Sequence, residues 1–338
     1  MNLGLILEKI VHGKELDAAE AKDVMTLLVT GEATQAQAGG LMIGLRAKGV
    51  TGRELAAFAE VLRENAVRVD HGFDNVVDIV GTGGGSPSFN ISSGSAFVAA
   101  AAGARVAKHG NRAVTSSCGS ADVLEALGVN LYNSPERLAR LLETCGIMFM
   151  LAPSHHPALR HIAGARRELG VRTVFNQLGP LVNPAFVQCQ LLGVYSEDLC
   201  RPTAEALQIL GAKRALVVFS EDGMDEISPC APTLCHKVWD GEISSVRLSP
   251  ADFGMEPLSS SALAPERTVD GNAAILREAL SRPDSERSRA LIPSAATALW
   301  LTGLADSLRT GAEMAREAIA SGAALAKLHQ LASESQAQ

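Results

Sequence analysis

Apolar and polar positions change their rhythm once along this chain. Up to about residue 70 the apolar residues recur at helical spacing, beginning with the stripe Leu3, Leu5, Ile6 and Ile10. Leu16-Asp17-Ala18-Ala19-Glu20 opens a second helix, with Asp17 placed to cap it and a carboxylate in its first turn. Thr34-Gln35-Ala36-Gln37-Ala38 opens a third, and Thr51-Gly52-Arg53-Glu54 reads as a capping box before a fourth helix over residues 55–67. No β-branched run interrupts them, so this part is predicted to be a helical subdomain.

From Val76 onward short apolar runs alternate with helical stretches. Strands are predicted at 76–80, 105–107, 147–151, 172–174, 191–194 and 215–219, with helices near 91–102, 119–127, 135–145 and 201–210. Such alternation implies α/β packing around a mainly parallel sheet. The tail returns to helix from about 272 to 330, and residues 333–338 are expected to fray. The predicted architecture is a small helical domain, 1–72, plus a large α/β domain, 73–338, with a mainly parallel central sheet. Part of the middle segment, about 160–185, is expected to pack with the helical domain.

The first predicted strand runs straight into GTGGGSPSFNISS, residues 81–93, and then into an alanine-rich helix. A strand, a glycine loop and a helix start present bare N–H groups and a helix dipole to an anion, so a phosphate or pyrophosphate ligand is expected. The stretch is neither a P-loop, since GxxxxGK[ST] is absent, nor a dinucleotide fingerprint. GxGxxG starts at Gly81 and Gly83 but ends on Ser86, and the acid expected about twenty residues later is replaced by Arg105-Val106-Ala107-Lys108.

Lys108-His109-Gly110-Asn111-Arg112 follows the second strand, and a second Ser/Gly run from Thr115 to Ser120 precedes another helix. Two such loops and a lysine suit a ligand with two separated phosphate groups. Glu221-Asp222-Gly223-Met224-Asp225-Glu226 follows the strand at 215–219. Adjacent carboxylates there can hold Mg²⁺, or can simply be a solvated turn. His155-His156-Pro157 reads as a helix start, because neighbouring histidines point apart and proline suits a first turn. The Arg166-Arg167-Glu168 cluster is either surface charge or the source of an arginine for a carboxylate substrate. Cys230, Cys235 and His236 lack a second ligand pair at zinc-like spacing and read as an ordinary turn.

Composition narrows the classes. In 338 residues the net charge is −7, which gives a nucleic-acid partner no support. The six cysteines contain no CxxC pair and read as free thiols in a reducing cytoplasm. No apolar run of about twenty residues is present, and the N-terminus lacks a signal-peptide pattern, so no membrane association is expected.

Taken in order, GTGG, FNIS, VAKHGNR, CGSADVLEALGV, HHPALRHI, RRELGVRTVFNQLGPLVNPA and DGMDEIS resemble the anthranilate phosphoribosyltransferase family of tryptophan biosynthesis. They cover most of residues 76–230. The resemblance implies a helical domain joined to an α/β domain, a cleft between them, and a homodimer formed through the helical part. It implies transfer of phosphoribose from 5-phosphoribosyl-1-diphosphate (PRPP) to anthranilate, with two Mg²⁺ per active site. By the same resemblance, PRPP meets Gly81, Thr82, Gly83, Gly84, Asn90, Ser92, Ser93, Lys108, Ser117 and Ser120. Anthranilate meets Gly81, His109, Asn111 and Arg166, while Mg²⁺ meets Ser92, Asp225 and Glu226. No catalytic acid or base is implied, only positioning and metal charge.

The glycine loop departs from the family pattern. The usual pattern is GTGGDG, a short spacer and FNIST; here Gly85 replaces the aspartate, Ser93 replaces the threonine, and the loop is one residue shorter. That leaves two alternatives beside the transferase. One is a related activity on another acceptor, such as a nucleoside phosphorylase-like reaction. The other is a homologue that binds a ligand or nucleic acid without catalysis.

Overall fold

The computed structural model describes residues 2–113 and 118–337. Four helices come first: α1 (Leu3–Val11), α2 (Ala18–Thr30), α3 (Gln35–Lys48) and α4 (Gly52–Glu64). Asp17, Thr34 and Thr51 cap the last three, each in a reciprocal capping box with Glu20, Gln37 and Glu54. Glu54 does more than cap. Fully buried, it accepts from Leu16 N at 2.8 Å and pairs with the equally buried Lys48 at 2.8 Å. One carboxylate thereby joins the start of α2, the end of α3 and the first turn of α4.

The α/β part begins with β1 (Val77–Gly81), α5 (Ile91–Ala101), β2 (Val106–Gly110), α6 (Ser120–Ala126), α7 (Pro135–Cys145) and β3 (Ile147–Leu151). It continues with α8 (Ala152–His155), α9 (Arg160–Leu169), α10 (Val174–Leu181), β4 (Cys189–Gly193), α11 (Cys200–Ile209) and β5 (Arg214–Ser220). A hairpin, β6 (Thr233–Trp239) and β7 (Glu242–Leu248), precedes the closing helices α12 (Val269–Ser281), α13 (Glu286–Thr302), α14 (Leu308–Ala320) and α15 (Ala323–Gln336).

Among the described residues the strands form one seven-stranded sheet in the order β3-β2-β1-β4-β5-β6-β7. The first five run parallel and the last two join antiparallel. The chain builds leftward from β1 to β3, then crosses back to place β4 on the other side of β1. That reversal opens a crevice at the C-terminal ends of β1 and β4, where ligands bind in open α/β sheets. Successive residues of β4 and β5 divide between two cores. Leu191, Leu216 and Val218 face α5 and α12–α15, whereas Leu192, Ala215 and Val217 face the side formed by α2–α4 and α9–α11. Helix α9 packs on α2 and α3, and α10 and α11 pack on α4, so both faces of the sheet are covered.

The structure corrects four expectations. Residues 172–174 are not a strand: Gly170 ends α9 with φ 61°, and Asn176 Oδ1 accepts from Thr173 N at 3.0 Å to start α10. The sequence reading missed β6 and β7, although Asp240-Gly241, with φ 48° and 83°, is a standard hairpin-turn pair. Cys235 and His236 lie within β6 rather than in a turn. The tail does not fray at 333: α15 runs to Gln336, with Ser335 buried and accepting from Asn130 N at 2.9 Å. No helix among the described residues is long and apolar enough to cross a membrane.

Candidate active site

Two glycines start the site. Gly81 at the end of β1 pairs in register with Gly193 at the end of β4. A Cβ on Gly193 would fall 1.5 Å from Asp225 O, and one on Gly81 would fall 2.5 Å from Asp225 Oδ2. Their missing side chains let the acidic turn after β5 fold across the strand ends. There Asp225 Oδ2 accepts from Gly83 N at 2.7 Å. Ser86 N donates to Gly223 O at 2.7 Å, Ser86 Oγ donates to Asp222 O at 2.6 Å, and Ser88 Oγ donates to Glu226 Oε2 at 3.2 Å.

Gly85 belongs to the same interlock. A Cβ at this position would lie 2.7 Å from Asp225 N and 2.8 Å from Gly223 O. The glycine that departs from the family pattern is therefore the one that lets the glycine loop seat against the carboxylate turn.

The loop ends at Asn90, ahead of α5, where no side chain caps the helix. Asn90 Nδ2 reaches Cys118 O at 3.4 Å, which joins the first loop to the second. Ser92 is half-buried, and the buried Ser93 Oγ has no hydrogen-bond partner among the described residues. Lys108 points into this helix start. Its buried Nζ donates to Ile79 O at 2.6 Å and lies 3.4 Å from Ser92 Oγ. Burial pulls the Lys108 pKa down, while Asp78 and Glu226 pull it up. Asp78, on β1, is pushed up to about 6 by burial, against the Lys108 charge and the Asn183 amide. Asn183 Nδ2 donates to both Asp78 Oδ2 at 2.7 Å and Ala107 O at 2.9 Å, pinning β1 to β2 below the site.

Asp225 and Glu226 are half-buried carboxylates side by side. Burial raises both pKa values, and the Asp225 charge helps lift Glu226 to about 8. The Arg172 and Lys108 charges offset only part of this rise. With Ser88 bonded to Glu226 and Ser92 beside Lys108, the pair offers the hard oxygen donors that suit Mg²⁺.

The acceptor side is built by α10. Phe175 lies under the half-buried Arg166 guanidinium at 5.4 Å, and Gly179, one turn later, holds the His109 ring through its backbone. Arg166 has no salt-bridge carboxylate among the described residues. Burial lowers its pKa. Arg167, its neighbour, is exposed.

His109 meets His156 edge-on, with ring centroids 5.3 Å apart. Both are buried, and neither Nε2 has a partner among the described residues. Burial lowers both pKa values, that of His156 to about 4, so both rings are neutral at pH 7. The helix-start reading of His155-His156-Pro157 places Pro157 correctly, at the head of one 3₁₀ turn, but overlooks the His156 ring. His155 turns away and bonds Val67 O at 2.7 Å.

A depressed histidine pKa binds fewer protons folded than unfolded. Stability is complete above the unfolded value of 6.5 and falls as pH drops toward 4. For His156 the loss reaches roughly 3 kcal/mol. His156→Asn is expected to flatten the urea midpoint between pH 6.5 and 4; a midpoint that stays as pH-sensitive as wild type would refute the assignment.

Asn111 is exposed, with its Oδ1 taken by Arg112 N at 2.8 Å, and Ser120 Oγ bonds Asn111 O at 3.4 Å. Arg112 is committed to Glu125 and Asp122 at 2.8 and 3.1 Å. Thr82 is half-buried at the loop's start, and Gly84 accepts from Arg172 Nη2 at 2.7 Å. Ser117 lies outside the described residues. The sequence reading missed His156, Ser88, Asn183 and Arg172, all within motif stretches but without a spacing that marks them.

Comparison with known proteins agrees in extent. The family model described as glycosyl transferase family, a/b domain, matches residues 73–325, and the one described as glycosyl transferase family, helical bundle domain, matches residues 5–66. An anthranilate phosphoribosyltransferase from Saccharophagus degradans is 46% identical over 336 residues, covering 98% of each chain. The crystal structure of the Thermus thermophilus enzyme of that name superimposes with a TM-score of 0.91 at 40% identity, covering 100% of both chains. The Saccharomyces cerevisiae enzyme, in complex with PRPP and Mg, gives 0.87 at 27% identity, covering 98% of this chain and 97% of that one.

Proposed function

The chain belongs to the anthranilate phosphoribosyltransferase family, and we propose that it transfers the phosphoribosyl group of PRPP to the amine of anthranilate, releasing pyrophosphate. One observation carries this reading. A glycine loop, a helix start and a buried lysine sit beside a pair of adjacent carboxylates at the sheet's switch point.

In this reading the glycine loop Gly81 to Gly84, Asn90 and the α5 start with Ser92 and Ser93 take the PRPP phosphates. Lys108, Ser120 and Ser117 complete that side. Asp225 and Glu226, with Ser92, would hold Mg²⁺, two ions per site, and that charge would stabilise the departing pyrophosphate. Arg166 pairs with the anthranilate carboxylate, and Asn111 and His109 border its ring.

A neutral aryl amine is already nucleophilic, so the protein's task is alignment. The amine lone pair forms the bond to the ribose carbon as the bond to pyrophosphate breaks, and the nitrogen then releases one proton to solvent. The unprotonated Nε2 atoms of His109 and His156 are available as acceptors for the amine's N–H groups. The working form is proposed to be a cytoplasmic homodimer through the helical part. Supporting this, α1 exposes Leu5 at 68% and Val11 at 77%. The domain division is proposed at 1–72 and 73–338; family models that match residues 5–66 and 73–325 support it.

The test is direct. Mixing the protein with anthranilate, PRPP and Mg²⁺ should extinguish anthranilate fluorescence. PRPP binding without that loss would point to another acceptor, and no PRPP binding would overturn the reading.

A further inference from the structure

Arg172 stands between two helices and serves neither. Gly170 ends α9, Thr173 starts α10, and the Arg172 side chain leaves this turn to reach the glycine loop. Its Nη2 donates to Gly84 O at 2.7 Å, and its guanidinium covers the Tyr195 ring at 4.5 Å. Gly84 has φ 89°, and a Cβ there would lie 2.3 Å from Arg172 Nη2, so the contact needs glycine on both counts. Behind it, Arg172 O accepts from Arg46 Nη1 of α3 at 2.8 Å. Arg172 is thereby anchored to the helical layer by its backbone and to the segment after β4 by its ring stacking.

A glycine-rich loop is expensive to order, at about 1–2 kcal/mol per residue, and an anion site needs its amides already aligned. Several struts hold this loop. The Asp225 strut occupies the Gly83 amide, and the Gly223 strut occupies the Ser86 amide. The Arg172 strut uses a carbonyl, so it occupies no amide itself and can persist with an anion bound. Its fixed charge also lies close to Asp225.

We propose that Arg172 is a positioning residue: it presets the loop through the Gly84 carbonyl and ties it to the helical layer through Arg46. The effect on substrate rests on the reading of that loop as the diphosphate site. The effect on the loop does not.

The full-length protein is compared with Arg172→Ala, Arg172→Lys, Tyr195→Leu and Arg46→Ala. Amide hydrogen exchange of residues 82–86 is followed without ligand, and Mg²⁺-pyrophosphate binding by calorimetry. In Arg172→Ala the loop amides should exchange about tenfold faster and pyrophosphate should bind about tenfold more weakly, the loss of one charge-assisted hydrogen bond. The KM for PRPP should rise while that for anthranilate holds. Lysine should not restore the loop, because an ammonium cannot both stack and donate in plane. Arg46→Ala and Tyr195→Leu should move the same readouts less, and they carry the test if Arg172→Ala does not fold. Unchanged exchange at 82–86, equal rises in both KM values, or full rescue by lysine would overturn the proposal. Wild-type protein that fails to bind Mg²⁺-pyrophosphate would sink the diphosphate reading alone, since the exchange comparison would still decide the strut.

Discussion

Asp225→Asn and Glu226→Gln should each cut turnover by about a hundredfold or more, yet raise the melting temperature of the metal-free protein. Both effects follow from one arrangement. Burial and mutual repulsion raise both pKa values, that of Glu226 from 4.5 to about 8. An acid whose folded pKa is raised favours the fold when protonated. Its penalty begins as pH rises past the unfolded value of 4.5 and is complete above about 8. The stabilising effect of Glu226→Gln should therefore be largest at pH 8, a few degrees, and should vanish near pH 4.5. The same exchange removes a hard anionic oxygen from the Mg²⁺ site, so activity falls as stability rises. Calorimetry in chelator at both pH values, alongside turnover against Mg²⁺ concentration, checks the pair. Variants with wild-type activity, or a melting temperature lowered equally at both pH values, would show that the carboxylates are ordinary surface acids.

Arg166→Ala should raise the anthranilate KM by roughly thirtyfold or more and leave the PRPP KM within about twofold, because truncating one partner of a desolvated charge pair costs about 2–5 kcal/mol. The guanidinium is half-buried over Phe175 with no carboxylate partner among the described residues, so its charge is available to a ligand. Arg166→Lys should recover only part of the loss, since a point charge does not match a carboxylate fork. Steady-state kinetics varying each substrate in turn decide it. A comparable rise in both constants would mean that the change disturbs the cleft generally, and no rise would pass the role to another group.

Much of this architecture was written in the local pattern. The caps at Asp17, Thr34 and Thr51 were legible because capping is settled within four residues. The buried parallel strands were legible as short apolar runs between helices. The hairpin of β6 and β7 was not, because its outer strand is mostly exposed and carries no apolar run. The strand expected at 172–174 shows the reverse failure: Val171, Thr173 and Val174 favour a strand, but Gly170 and Asn176 turn the chain from one helix into the next. The site divides along similar lines. Glycine loop, lysine and carboxylate pair announced themselves by residue type. His156 and Arg172 owe their positions to contacts across the fold, with His109 and with Gly84, and no local spacing encodes such a meeting.

The glycines at 81, 85 and 193 carry a consequence for anyone who would re-engineer this enzyme. Each leaves space that the backbone or carboxylate of residues 223–225 fills, so the phosphate loop and the acidic turn behave as one inherited part rather than two. An aspartate placed alone at Gly85, in imitation of relatives, would meet main chain at 2.7 Å and would have to lever the turn away before it could touch a substrate. Flexible side chains could yield to such an intrusion; a main-chain amide and carbonyl cannot without moving the residues around them. The practical unit of exchange between family members is therefore a cassette, with residues 82–88 travelling together with 221–226, and point-by-point transplantation should strand the chain at intermediates worse than either parent.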